Sequence, residues 1–125
     1  MNLSDYLTHN SRIFREKLAL AHGMAPFASW RELRQRAEKL ATGIGLPLSS
    51  RAAIESKNCP EYVEILFACW AAGLIVVPIN AKLHKREVEL LECSKASMVF
   101  VSEEIETCPD RNQTVTRSPC LVASQ

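Results

Sequence analysis

Two neighbouring stretches, Pro60 to Ala72 and Leu74 to Val77, carry almost no polar residues and demand burial. The first holds Tyr62, Val63, Ile65, Leu66, Phe67, Cys69 and Trp70 against two charges, Glu61 and Glu64. A helix without a polar stripe packs on most of its faces. Its carboxylates fall in the first turns, where the positive end of the helix dipole favours them. Asn58, followed three places on by Glu61 with Pro60 between, predicts a capping box. Gly73 ends the helix. Leu74, Ile75, Val76 and Val77 follow, closed by Pro78, and predict a strand covered on both faces, as in parallel sheets.

The flanks extend the pattern. About Arg86 to Lys95, Val88 and Leu91 point inward and Glu87, Glu89 and Glu92 outward, which predicts a second helix; Met98 to Val101 predicts another strand. An opening strand at Arg51 to Glu55 completes a βαβαβ unit, although Ala52 and Ala53 have no particular strand preference. The fold class is therefore α/β with a parallel sheet and right-handed crossovers.

Residues 1–50 prepare this core. Leu3, Tyr6, Leu7, Ile13 and Phe14 predict an amphipathic helix capped by Asn2 or Ser4. Leu18 to Ala21, then Gly23 and Pro26 before Phe27 and Ala28, predict a hairpin. Ser29 and Glu32 form a capping box. The helix it opens carries Leu33, Ala37, Leu40, Ala41 and Ile44 on one face and is ended by Gly43 and Gly45. The core spans 51–102. Within 103–125, Glu103 to Asn112 read as a solvated loop and Cys120 to Ala123 as a terminal strand.

A chain of 125 residues is one domain or a piece of one, and a net charge of +1 gives no bias toward nucleic acid or a membrane surface. No apolar run approaches the roughly 20 residues of a membrane span, and Asn2, Ser4 and Asp5 stand where a secretory signal would be basic and then apolar. A cytoplasmic protein is expected. Five cysteines without a C-x-x-C pair predict free thiols instead of a disulfide framework or zinc site.

Few residues suggest chemistry. Gly43-Ile44-Gly45 ends a helix where a dinucleotide loop would open one, so it reads as a cap. His9, His22 and His84 lack the spacing of a metal site or triad. Cys59, at a helix start where the dipole can lower a thiol pKa, reads as a packing or capping residue before a nucleophile. Lys82, His84, Lys85 and Arg86 form a basic cluster after a strand end, where open α/β sheets bind ligands.

The specific sequence goes further. Ala28-Ser29-Trp30-Arg31-Glu32-Leu33, Asn58 to Tyr62 with Phe67 to Trp70, and Ala71 to Asn80 followed by Leu83 and Glu87-Val88 together resemble the N-terminal portion of AMP-forming acyl-CoA synthetases, the adenylate-forming ligases. Ser94-Lys95-Ala96 also fits, and the likeness runs unbroken from about 3 to 102. Ser49-Ser50 departs from a usual Gly-Asp pair, Cys93 from an aspartate and His84 from a small capping residue.

The resemblance implies an incomplete parallel-sheet portion of that family's N-terminal domain. It also implies ATP, magnesium and CoA as cofactors of a complete member, which activates a carboxylic or fatty acid as an acyl-adenylate and passes it to CoA. Lys82, in Asn80-Ala81-Lys82-Leu83, falls where some members place a basic residue near the CoA phosphates. The family's phosphate loop, magnesium-binding glutamate and catalytic lysine have no counterpart among these residues. The chain alone is thus expected to be inert, to need no cofactor of its own, and to self-associate or take a sheet-completing partner. The alternative is a non-catalytic α/β binding or scaffold module.

Overall fold

The computed structural model describes residues 2–56, 58–79, 95–102 and 114–118. The elements, in order, are α1 (Ser4–Ile13), β1 (Leu18–His22), β2 (Ala25–Ser29), α2 (Trp30–Ile44), β3 (Arg51–Glu55), α3 (Pro60–Ala71), β4 (Ile75–Ile79), β5 (Met98–Ser102) and β6 (Thr114–Ser118). β1 and β2 form an antiparallel hairpin, and the other four strands form one parallel sheet in the order β4-β3-β5-β6. The second predicted helix, about Arg86 to Lys95, lies outside the described residues except for its last residue.

β3 is the central strand. Its residues Ala52 to Glu55 are wholly buried because both faces of the sheet are covered there. Ala52 and Ile54 join the larger core, with Leu33, Ile65, Ala68 and Phe100, while Ala53 meets Ile79, Ala96 and Val99 on the other face. Side chains alternate across a strand, so small alanines admit both layers close to the sheet.

β4 corrects the expectation of a strand covered on both faces and stopped by Pro78. It is one of the two outer strands among those described, Ile75 is 49% exposed, and the strand runs through Pro78 to Ile79. A proline has no N–H to donate and is tolerated where only one side of the strand is paired.

The helix termini follow local chemistry. The Ser29 Oγ accepts from the Glu32 backbone N–H, so Ser29 caps α2 as predicted, while the Glu32 carboxylate accepts from the Ser29 hydroxyl and not from the backbone N–H of a full capping box, both bonds at 3.2 Å. Gly45, at φ +65°, closes it. α3 does not start on the predicted Asn58 box: its N-cap is Cys59, extended at φ −148°, and Pro60 is the first helical residue. The pyrrolidine ring disfavours helical geometry in the residue before it, which places the cap one position later than Asn58. At the other end Gly73, at φ +75°, sends its N–H to Trp70 O while Leu74 N–H reaches Cys69 O, a Schellman closure.

α1 packs through a narrow stripe. Leu7 and Ser11, one turn apart, are buried, whereas Leu3, Tyr6 and Ile13 of the predicted apolar face are exposed. The N-cap of α1 is Leu3, not the predicted Asn2 or Ser4, and it has no side chain able to cap; Asn2, one residue earlier, accepts from Ser4 N–H at 3.0 Å, and its side-chain amide donates to Trp70 O, tying α1 to the end of α3. α2 packs on α3, and Arg36 bridges them to Glu64 at 2.7 Å. Thr114–Ser118 pairs with β5 in a stretch where a strand was expected only at Cys120 to Ala123, which lies outside the described residues.

Candidate functional site

From β3 the chain passes through α3 to β4 on one side of β3, whereas β5 and β6 lie on its other side. The carboxyl ends of β3 and β5 therefore flank a topological switch point, the place where open α/β sheets bind their ligands. Glu55, with no exposed surface, ends β3 there, in register with Ile79 of β4 and Val101 of β5. The chain then leaves the sheet through buried Ser56 and enters α3 at Cys59.

Beside this turn the tip of the β1–β2 hairpin approaches the first turn of α3. Leu20, His22, Gly23, Asn58, Cys59 and Val63 line a groove of about 310 Å³. The fold thus brings His22 to the same groove as Cys59, although 37 positions separate them by subtraction of their residue numbers.

Proximity does not make Cys59 a nucleophile. Burial pushes its thiol above the usual 9.0, and the neighbouring Glu61 carboxylate pushes it further. Hydrogen bonds from the Tyr62 backbone and from Ser56, whose Oγ is 3.9 Å from the sulfur, oppose the rise without cancelling it. The thiol is protonated at neutral pH, so desolvation defeats the activating effect expected of a helix start. Cys59 makes no side-chain capping bond and packs against the core, which is the structural role. Cys69, buried within α3, is pushed up to about 12 by desolvation and is inert.

The remaining candidates scatter. His9 is exposed on α1, and Gly43 and Gly45 belong to the end of α2. Lys82, with His84, Lys85 and Arg86, lies outside the described residues. Among the described residues no three His, Cys, Asp or Glu side chains converge as a metal site. Those residues therefore do not fit a magnesium–nucleotide complex by themselves. Glu55 and Ser56 were missed as site residues; the one signal was an acid closing the apolar run Ala52-Ala53-Ile54. Among the described residues no helix is long and apolar enough to cross a membrane.

Comparison with known proteins adds what this geometry lacks. A model of the family described as AMP-binding enzyme matches residues 7–124. A feruloyl-CoA synthase from Amycolatopsis sp. is 30% identical over 110 residues, covering 84% of this chain and 22% of that protein. A crotonobetaine/carnitine–CoA ligase from Shigella flexneri is 29% identical over 128 residues, covering 96% of this chain and 24% of its own length. The crystal structure of IdnL1 superposes with a TM-score of 0.82 at 27% identity, over 97% of this chain and 27% of that one. The chain spans about a quarter of the length of these relatives.

Proposed function

The chain belongs to the AMP-binding enzyme family, and from that premise we propose that it is the N-terminal portion of an acid-activating CoA ligase. The complete activity would join a carboxylic or fatty acid to AMP at the expense of ATP, with magnesium, and then transfer the acyl group to CoA. The family match over 7–124, on a sheet whose switch point presents Glu55 and Ser56, is the observation that carries this reading. Residues 1–125 contain only four glycines and no Ser/Thr/Gly-rich phosphate loop. Phosphoryl-group chemistry relies on positioned cations and backbone donors around the phosphates, so these residues alone leave adenylation without its clamp.

The purified 125-residue chain is expected to show neither ATP–pyrophosphate exchange nor acyl-CoA formation. ATP-dependent adenylate above a mock preparation overturns that expectation. Lys82 is proposed as a contact to the CoA phosphates in the complete enzyme, where Lys82→Ala should raise KM for CoA; an unchanged KM removes it. A cytoplasmic location is proposed as part of the same reading.

A second reading is supported by β4, an outer strand among those described, which is half-exposed at Ile75. Here the chain is a non-catalytic α/β module that completes its sheet with another polypeptide or a second copy. Leu3, Tyr6, Leu18, Met24 and Leu48 add exposed apolar surface. Hydrophobic-dye binding and open-ended self-association are expected of the ligase portion in isolation, whereas a dye-silent discrete dimer, or a dye-silent complex with another polypeptide, with one sharp cooperative melt favours the module.

A further inference from the structure

We propose that the groove between the end of α1 and the start of α2 binds a small phosphate-bearing anion through Arg12 and Arg15. The groove holds about 360 Å³ and is lined by Ser11, Arg12, Arg15, Arg31, Arg34 and Glu38. Four arginines therefore line one groove on a chain whose net charge is only +1.

Two of the four are matched by carboxylates: Arg31 pairs with Glu16 at 2.9 Å and Arg34 with Glu38 at 2.7 Å. Arg12 and Arg15 form no ion pair among the described residues. Arg34 Nη1 also donates to Ser11 Oγ at 3.4 Å, joining α2 to buried Ser11 of α1, so that wall of the groove is fixed. Arg15 Nε donates to Arg12 O at 3.3 Å, which anchors its side chain and leaves both terminal nitrogens to a ligand. A planar guanidinium fork matches the oxygens of a phosphate two at a time.

Compensation of the negative end of the α1 dipole accounts for cations near Ile13. Arg31 and Arg34 of a second helix line the same space with carboxylates of their own, so Arg12 and Arg15 are the two arginines of this groove without an ion pair among the described residues. The volume suits a diphosphate group, whether inorganic pyrophosphate or the phosphates of a nucleotide. None of the lining residues belongs to the carboxyl ends of β3 to β5, so the inference stands apart from the ligase reading.

The test is calorimetric titration of the 125-residue chain with inorganic pyrophosphate, orthophosphate and ATP at low ionic strength. Saturable pyrophosphate binding, tighter than orthophosphate and weakened by added salt, is expected. The double variant Arg12→Gln/Arg15→Gln should lose at least about tenfold in affinity with its thermal midpoint retained, while Lys39→Gln, an exposed charge outside the groove, should bind as the parent does. Equal affinity for ATP and pyrophosphate identifies the phosphates alone as the ligand; tighter ATP binding identifies a nucleotide. Absence of saturable pyrophosphate binding, or an affinity unchanged in the double variant, overturns the proposal. If that variant melts early, charge retention in Arg12→Lys/Arg15→Lys provides the second comparison: it should keep the fold and weaken binding by loss of the fork, and unchanged binding there also overturns the assignment.

Discussion

Replacing Arg36 by methionine removes the cation that joins three elements while keeping most of its apolar stem. Its Nη1 lies 2.7 Å from Glu64 Oε1 on α3, and its guanidinium sits 4.8 Å from the centre of the Phe27 ring on β2. The Glu64 side chain is only 15% exposed, against 50% for Arg36. Burial raises the Glu64 carboxyl above its usual 4.5, and the charge and hydrogen bond of Arg36 pull it partly back.

Loss of the cation–π contact costs about 0.5–1 kcal/mol. Loss of the half-exposed ion pair costs about as much again, so about 1–2 kcal/mol disappears at pH 7.5. The pH dependence has a definite sign. A folded-state pKa above the unfolded one contributes stability that is present below 4.5 and lost as pH rises through the folded value. Without Arg36 the folded value climbs further, which widens that window. The deficit of Arg36→Met should therefore shrink toward the cation–π share as pH falls to 4. Urea unfolding followed by tryptophan fluorescence at the two pH values measures it. A deficit below about 0.5 kcal/mol at pH 7.5, the lower edge of the cation–π contribution alone, or one equal at both pH values, would refute the reasoning.

Ser29→Ala should cost about 1 kcal/mol in denaturant melts through loss of the α2 cap. Ser49 sits at φ +65°, a conformation that glycine adopts without penalty, so Ser49→Gly should be stabilising by up to about 1 kcal/mol. Gly73→Ala should do the reverse, by about 1–2 kcal/mol, because φ is +75° and the new Cβ would lie 2.5 Å from the exposed Leu48 side chain, which must swing aside. Cys69, at about 12 when folded and 9.0 when unfolded, contributes stability that is present below pH 9 and lost as pH rises toward 12. Thermal midpoints should consequently fall less steeply above pH 9 in Cys69→Ala than in the parent, and iodoacetamide should reach Cys69 only on unfolding.

The elements that the sequence made legible are those specified within a few residues. Ser29 and Glu32 mark the start of α2, and Leu33, Ala37 and Ile44 recur at helical spacing on the face that is buried. Gly73 marks the end of α3 because its neighbours need a left-handed residue there. The βαβ alternation was also plain, since a helix without a polar stripe beside a β-branched run has few other ways to be covered.

Hydrophobic strength misjudged the order of the strands. Ile75-Val76-Val77 looks the most buried and lies on an outer strand among those described, whereas Ala52-Ala53 looks indifferent and lies on an inner, wholly buried one. Thr114-Val115-Thr116-Arg117-Ser118 has too little apolar content to announce a strand, yet backbone pairing with β5 makes it one.

The candidate site was less legible still. Its parts come from β3, from the start of α3 and from a hairpin more than 30 residues earlier, and no spacing rule joins His22 to Cys59. The sequence by itself determined the element types, most of their caps and the family resemblance, because propensity, capping and periodicity act along the chain. Tertiary structure alone decided which strand is central, which thiol is desolvated and which arginines share a groove. Those properties depend on how much water and which charges distant segments leave around a side chain, and burial of that kind is set by packing across the fold.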